Sequence, residues 1–469
     1  MDTPPTASTP NALAANHDLR RTLALSQREA VASSATSGIC DNFLNAFAIH
    51  LDATVPQIGW LTAFPQLIGA WLQLLSVWIG LHFERKRLIL AGTICQAGAL
   101  LGMATIAVIS PGAAAIKLIA MAVCYQAAQN FVQPHWRGWL GGLVPEGRRG
   151  RFFAHRTRIS ALAGFIAFLL GGLLLNVADG VAAADLGFAV LFLVALGGRT
   201  RATYLLQAMH DPAPHVSPAT ERTLRHTGRL LLAALGNRTF RNYTIFIAAM
   251  QGMVALSSPF FSVYMLRDLH FNYFDYTIVL ATSILVQFLT LRAWGRISDR
   301  LGNRVVMILT SLLLPILPAL WLVSHQFWYL LGIQIVSGVA WSGFSLGTGN
   351  YIYDLRPHHT HFATYAAVQS GLTATATFCG AMAGGYLAVV LPTTFTLGEH
   401  TLRIQSPLLG IFALSAVLRL AVALWFIPRA EEPRVRRRPK VRELIYRIVR
   451  YAPITGIVLD WLTITRKRD

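Results

Sequence analysis

Charge is scarce in this chain. Asp, Glu, Lys and Arg together make up 13% of its 469 residues, against roughly 25% in a soluble domain, which excludes an extensive water-facing surface. Acidic residues are the scarcer sign, 21 against 40 Lys and Arg. Cysteine is rarer still. Cys40, Cys95, Cys124 and Cys379 all fall inside apolar stretches, without the spacing of a metal site or a disulfide framework, and they read as small core residues. No phosphate-cradling loop, dinucleotide glycine pattern or nucleophile with a base is present, so neither ATP hydrolysis nor a hydrolase is indicated and no cofactor or metal is called for. The run His358-His359-Thr360-His361 reads as a weakly basic loop. Residues 1–27 contain no apolar run and are not a cleavable signal peptide; residues 1–30 are expected to form a disordered cytoplasmic tail.

What the chain has is hydrocarbon, 54% hydrophobic residues, arranged in windows of about 20 residues that each suffice to cross a bilayer. Twelve such windows are predicted, at 31–51, 58–82, 88–109, 114–135, 159–178 and 186–208, then 243–265, 275–294, 305–324, 327–352, 363–391 and 407–427. The fold class expected is therefore all-α, with a six-helix bundle over 31–208 and another over 243–428. Residues 209–242 read as a cytoplasmic linker carrying an amphipathic helix through Leu224, Leu230, Leu231 and Leu232. Residues 429–469 read as a basic amphipathic tail lying on an anionic inner leaflet.

The net charge of +19 could point to nucleic acid or to anionic lipid. Placement decides, because arginines fall in alternate loops: Arg85 to Arg87, Arg148 to Arg158, Arg222 to Arg241, Arg296 to Arg304. The opposite loops hold Asp52, Asp179, Asp185, Asp268 and Glu399. That alternation is the positive-inside pattern. It implies both termini in the cytoplasm of a bacterial-type plasma (inner) membrane and no nucleic-acid partner.

The two halves also read as copies, the sequence mark of a repeat-built transporter. Gly171-Gly172 corresponds to Gly384-Gly385, and Arg199 or Arg201 to Arg419. Between the eighth and ninth windows stands Trp294-Gly295-Arg296-Ile297-Ser298-Asp299-Arg300-Leu301-Gly302-Asn303-Arg304. This resembles the signature loop of the major facilitator superfamily, Gly-x-x-x-Asp-Arg-x-Gly-[Arg/Asn]-Arg, with Gly80, Glu84 and Arg85 standing in a degenerate first-half copy. Leu143 to Arg151 is similar to the Pro-Glu-x-x-Arg-Gly connection after the fourth helix of such proteins. The resemblance covers residues 30–428 and implies alternating access by two bundles, with Gly80, Glu84, Arg85, Gly295, Asp299, Arg300, Gly302 and Arg304 as gating residues. On the residues themselves, Gly295 and Gly302 permit close backbone approach and Asp299 suits a helix N-terminus. The fifth window lacks the Gly-Pro pair of drug antiporters.

In that superfamily helices 1, 4, 7 and 10 line the cavity, and polar residues at membrane depth are costly enough to mark a cavity or a partner. Ser37, Asp41 and Asn45 share one face of the first helix, and Gln126, Asn130 and Gln133 one face of the fourth. Gln251, Ser258 and Ser262 lie on the seventh; Gln334, Trp341, Ser345 and Thr348 on the tenth. Asp41, Asn45, Gln126, Asn130, Gln251, Trp341 and Ser345 are the candidate substrate-binding residues. The amides suit a neutral or zwitterionic solute, and Trp341 offers a flat wall for a sugar or aromatic ring. Asp41, the only carboxylate near the middle of a window, is expensive to keep charged there and is the candidate for proton coupling. Arg199, Arg201 and Arg419 read as snorkelling side chains. A secondary active, monomeric transporter is the leading expectation. The rivals are a polytopic enzyme acting on a lipid-linked substrate and a transporter-derived receptor or assembly partner.

Overall fold

In the computed structural model the chain is described over residues 10–80, 82–109, 112–144, 149–211, 235–355, 362–392, 394–397, 400–403 and 406–430. Among the described residues twelve helices run in chain order: α1 Pro10–His50, α2 Val55–Ile79, α3 Arg85–Ile109, α4 Ala114–Leu143, α5 Arg149–Gly180 and α6 Ala184–Ala208. Then come α7 Arg238–Asp268, α8 Tyr273–Leu301, α9 Asn303–Leu320, α10 Phe327–Asp354, α11 Phe362–Val390 and α12 Pro407–Phe426. Helix α7 breaks at Leu256 and Ser257 and closes with a π turn over Tyr264–Asp268. The all-α architecture expected from the windows is thus the one observed. Between α11 and α12 it carries in addition a short antiparallel hairpin, β1 Thr394–Leu397 against β2 His400–Arg403, with Thr394 opposite Arg403.

Eleven of these helices are long and apolar enough to cross a membrane among the described residues. Helix α1 is the exception, because Ser33, Ser34, Thr36, Ser37, Asp41, Asn42 and Asn45 dilute its apolar content. It is also longer than expected. Residues 10–30, read as a disordered tail, are helical from Pro10 onward, with Thr22, Ser26, Glu29 and Ala30 buried. Polar contacts through Thr22, Ser26 and Glu29 alternate there with the packing of Leu19 and Leu25 on an apolar cluster around Ile89 and Trp139, a mixture that a hydropathy window passes over. The linker helix around Leu224 to Leu232, the Pro145 to Arg148 turn, the histidine run at 358–361 and the basic tail beyond Ala430 all lie outside the described residues.

The helices form two compact units, residues 1–53 with 64–221, and residues 54–63 with 222–469. In the first, α1 packs on α5 and α6, and α3 on α4 and α6. In the second, α7 packs on α11 and α12, α8 on α10, and α9 on α10 and α12. The same device closes one crossing in each unit. A Cβ on Gly38 would run into the Gly164 backbone, and one on Gly380 into the Gly252 backbone, so only glycine lets α1 meet α5, and α7 meet α11, at these points. The first turns of α2 belong with the second unit, where Ala63 clusters with Ala255 and Ala381.

Two readings of side-chain environment are corrected. Cys40 is buried as expected, but Cys95 and Cys379 are exposed and Cys124 is half-buried. An apolar neighbourhood in sequence does not distinguish a protein core from a lipid-facing surface. Arg199 and Arg419 do not snorkel: they are 3% and 2% exposed, whereas Arg201 is exposed. Arg419 donates to Ser415 Oγ, Ser257 Oγ and the carbonyls of Leu314 and Val254, which supplies the acceptors that a buried guanidinium requires.

Candidate functional site

In the first unit the polar stripe of α1 is longer than the sequence windows showed: Glu29, Ser33, Ser37 and Asp41 recur every fourth residue and therefore share a face. Asp41 is exposed on that face, and Gln126 Nε2 of α4 donates to its Oδ1 at 3.3 Å. Asn45 follows one turn further on, half-buried. The Asn130 amide donates to the Gln126 carbonyl at 3.0 Å and fills the space left by Gly69 of α2. Arg199 Nη1 of α6 donates to Ser33 Oγ at 3.0 Å, and its charge acts on both Glu29 and Asp41.

Glu29 is the carboxylate that sequence reading missed. It is buried and accepts from Arg156 Nη2 of α5 at 2.6 Å, while that guanidinium lies 4.3 Å over the Trp136 ring of α4. One ion pair and one cation–π contact thereby tie α1, α4 and α5 together. The period of four from Asp41 back to Glu29 was the available signal, and it ran beyond the edge of the first hydrophobic window.

The second unit holds a cavity of about 320 Å³ lined by Gln251 of α7, Gln369 of α11 and Trp341, Phe344, Ser345 and Thr348 of α10, with Ile247, Gly349 and Ile352. Three of the candidate residues, Gln251, Trp341 and Ser345, therefore share one space. Gln334 is buried elsewhere, and Ser262 meets Tyr276 Oη at 3.2 Å. Ser345 and Thr348 donate to the carbonyls of Trp341 and Phe344 of their own helix, at 2.8 and 2.7 Å, which leaves their oxygens as acceptors toward the cavity. Trp341 stands edge-on to Phe344 with centroids 5.8 Å apart. Gln369, which sequence reading did not select, donates to Tyr243 Oη at 3.3 Å, and Tyr243 donates in turn to the Thr348 carbonyl at 2.7 Å. Among the described residues no Asp, Glu, Lys or Arg lines this cavity. Its lining is one flat indole and several neutral hydrogen-bonding groups, at the low end of the size range of small-molecule sites.

The signature segment proves to be almost entirely helical. Helix α8 runs through Asp299 and Arg300 to Leu301, α9 starts at Asn303, and Gly302 alone forms the joint, with φ 90° and ψ 154°, a conformation essentially reserved to glycine. Gly302 is thus required for its dihedrals and not for close approach, and a Cβ on Gly295 would meet open space. Asp299 sits in the last turn of α8 and not at a helix N-terminus, with its side chain exposed. The joint is anchored by Asn303, which accepts from Ser298 Oγ and donates to Asp354 Oδ2 at the end of α10 at 2.7 Å. Upstream, Trp294 Nε1 donates to the Val339 carbonyl at 2.9 Å. Arg304 is half-buried, at the start of α9.

In the first-half copy Glu84 pairs with Arg87 at 2.9 Å. Arg85 makes a two-pronged contact with Asp211 just beyond α6, Nε to Oδ2 at 3.1 Å and Nη2 to Oδ1 at 2.6 Å, and Lys86 donates to the Met209 carbonyl at 2.7 Å. Gly80 makes room for the imidazole of His135 on α4, whose Nε2 lies 3.3 Å from Ser76 Oγ. Each joint is therefore fastened within its own unit by an aspartate, Asp211 or Asp354, that lies far from it in sequence.

The sequence profile described as the Major Facilitator Superfamily matches residues 30–262 and again residues 243–465. No curated protein matches the chain in sequence. Among solved structures, the nucleoside transporter NupG is similar at 11% identity with a TM-score of 0.66, covering 88% of this chain and 98% of that one. A bacterial homologue of the iron transporter ferroportin, in an inward-facing state, is similar at 13% identity and TM-score 0.64, with 87% and 99% covered. A bacterial homolog of the human lysosomal transporter Spinster is similar at 14% identity and TM-score 0.60, with 90% and 96% covered. At these identities the likeness is one of fold.

Proposed function

The chain belongs to the major facilitator superfamily, and from that premise we propose that it is a secondary active transporter that moves a small polar solute by alternating access. That it is a multi-pass membrane transporter rather than an enzyme is supported by the family and by the transporters that share its fold. The observation that carries the finer reading is the cavity of the second unit, where Gln251 and Gln369 offer amides beside the Trp341 ring. A neutral or zwitterionic solute with a ring and a hydrogen-bonding edge, such as a sugar or a nucleoside, fits that lining. The first unit contributes Asp41, with Gln126 bonded to it and Asn45 one turn away, as the group that takes up a proton during the cycle. Asn130 is a positioning residue in this scheme, since its amide is spent on the Gln126 carbonyl.

The gating assignment of Gly80, Glu84, Arg85, Gly295, Asp299, Arg300, Gly302 and Arg304 belongs to the same proposal. Gly302 lets α8 turn into α9 in one residue, and Arg85 fastens α3 to the end of α6 through Asp211, so these are the points about which the joints hinge. The alternation of arginine-rich loops orients both joints toward the cytoplasm of a bacterial-type plasma membrane. The basic tail, by its composition, binds anionic lipid.

The test is uptake into proteoliposomes from a panel of labelled sugars, nucleosides and amino acids. We expect one class to enter saturably, and Gln251→Ala and Trp341→Ala each to raise KM for it. No saturable uptake of any class, or unchanged kinetics in both variants, overturns the assignment of that cavity.

A further inference from the structure

The seam between α3 and α4 holds two thiols that the transport reading does not use. Cys95 Sγ and Cys124 Sγ lie 3.4 Å apart. Cys95 is exposed at the margin of the α3 surface that carries Ile94, Leu101 and Val108, all more than half exposed. In a membrane transporter an exposed helical stripe of that composition meets lipid hydrocarbon, because water would penalise it. Cys95 is about ten residues into α3, roughly 15 Å along its axis, and so lies near the middle of the hydrocarbon layer. The seam is held in register around the pair. Gln96 Nε2, the next residue on α3, donates to Gln129 Oε1 of α4 at 2.5 Å, and Gly92 and Gly102 let Val132 and Met121 of α4 pack against the α3 backbone. With the helices fixed in this way, a disulfide needs only about 1.4 Å of further approach between the sulfurs, within reach of side-chain rotation.

We propose that Cys95 and Cys124 form a redox-modification site addressed from the lipid phase, closed to an intramolecular disulfide by a lipid-soluble two-electron oxidant of the quinone class. Two S–H bonds break and one S–S bond forms. The two electrons and two protons pass to the quinone, which leaves as the hydroquinone. An oxidant confined to water does not reach the pair, whereas one dissolved in the bilayer meets it at its own depth. Cys40, buried, and Cys379, exposed on α11, have no thiol partner among the described residues.

The experiment uses the full chain in liposomes, treated with tetramethyl-benzoquinone, whose substituted ring resists addition of thiols, and in parallel with ferricyanide. Free thiols are then alkylated, and the protein is examined by intact mass and by peptide mapping. We expect two of the four cysteines to escape alkylation, a cross-linked peptide joining Cys95 to Cys124, and reversal by dithiothreitol. Cys95→Ser and Cys124→Ser should each keep all their remaining thiols free. Ferricyanide, a charged ion that hydrocarbon excludes, should act at least about tenfold more slowly. Four alkylated cysteines after quinone treatment, or a cross-link between two chains, overturns the site. Equal rates with the two oxidants overturn the lipid route.

Discussion

Replacing Asp41 with Asn removes the charge from the α1 stripe while leaving its shape. In the structure the side chain is exposed and its oxygen accepts a 3.3 Å hydrogen bond from Gln126. An asparagine oxygen accepts the same bond, so the cost to folding should stay within about 1 kcal/mol, and the yield of folded protein should be unchanged. The effect on coupling is far larger. A single carboxylate carries a single proton per cycle. One pH unit across the membrane is worth about 1.4 kcal/mol, so coupling through Asp41 permits up to about tenfold accumulation of a neutral solute per pH unit. The Asn variant is fixed in the uncharged form and should equilibrate the solute without concentrating it, while still exchanging labelled for unlabelled solute in counterflow. The assay is paired, with pH-gradient-driven uptake and counterflow measured in the same proteoliposomes. Accumulation by Asp41→Asn at the wild-type level removes Asp41 from coupling. Loss of counterflow together with a fall in yield makes it a structural residue instead.

Gly302→Ala forces a side chain into φ 90° and should destabilise the protein by roughly 1–3 kcal/mol, read as a lower midpoint of thermal unfolding in detergent; Gly295→Ala, which meets open space, should cost far less, and equal losses would refute the role given to the joint. The two-pronged Arg85 to Asp211 contact, whose side chains are 21% and 11% exposed, should show a coupling of roughly 1–3 kcal/mol in a double-mutant unfolding cycle, and additive single mutants would count against it. Gly38→Val and Gly252→Val should each cost roughly 1–3 kcal/mol or more by prising a helix crossing apart, whereas Gly98→Val, in open space, should be tolerated. A chain ending at Pro433 should still insert and fold, with weaker dependence on anionic lipid in a reconstitution series; loss of all inserted protein would mean that the tail packs into the bundle.

The spans of the second half were legible to within five residues except at the end of α8, which runs seven residues past its window, because a bilayer imposes one length and one composition on any helix that crosses it. Among the residues chosen as binding candidates, Gln251, Trp341 and Ser345 line one cavity and Gln126 reaches Asp41. Asn130, another candidate, faces a glycine instead. Helix α1 shows where the windows failed. Its extension is held by polar contacts, by the Glu29 to Arg156 pair and by only scattered leucines, Leu19 and Leu25, and such a mixture leaves no excess of hydropathy.

By itself the sequence determined what depends on solvent and on local backbone chemistry: that the chain is all-α, that it lies in a membrane, and where most of its apolar helices run. These follow from one window at a time, since burial in lipid and permitted dihedrals are local properties. Tertiary structure alone decided which partner each polar group takes. Asp211 for Arg85, Asp354 for Asn303, three of the four neutral acceptors of Arg419 and Cys124 for Cys95 are all separated from their partners by tens of residues or more. Hydrogen bonds and thiol pairs require contact within a few ångströms, and only the packing of one helix on another brings residues so distant in the chain to that separation.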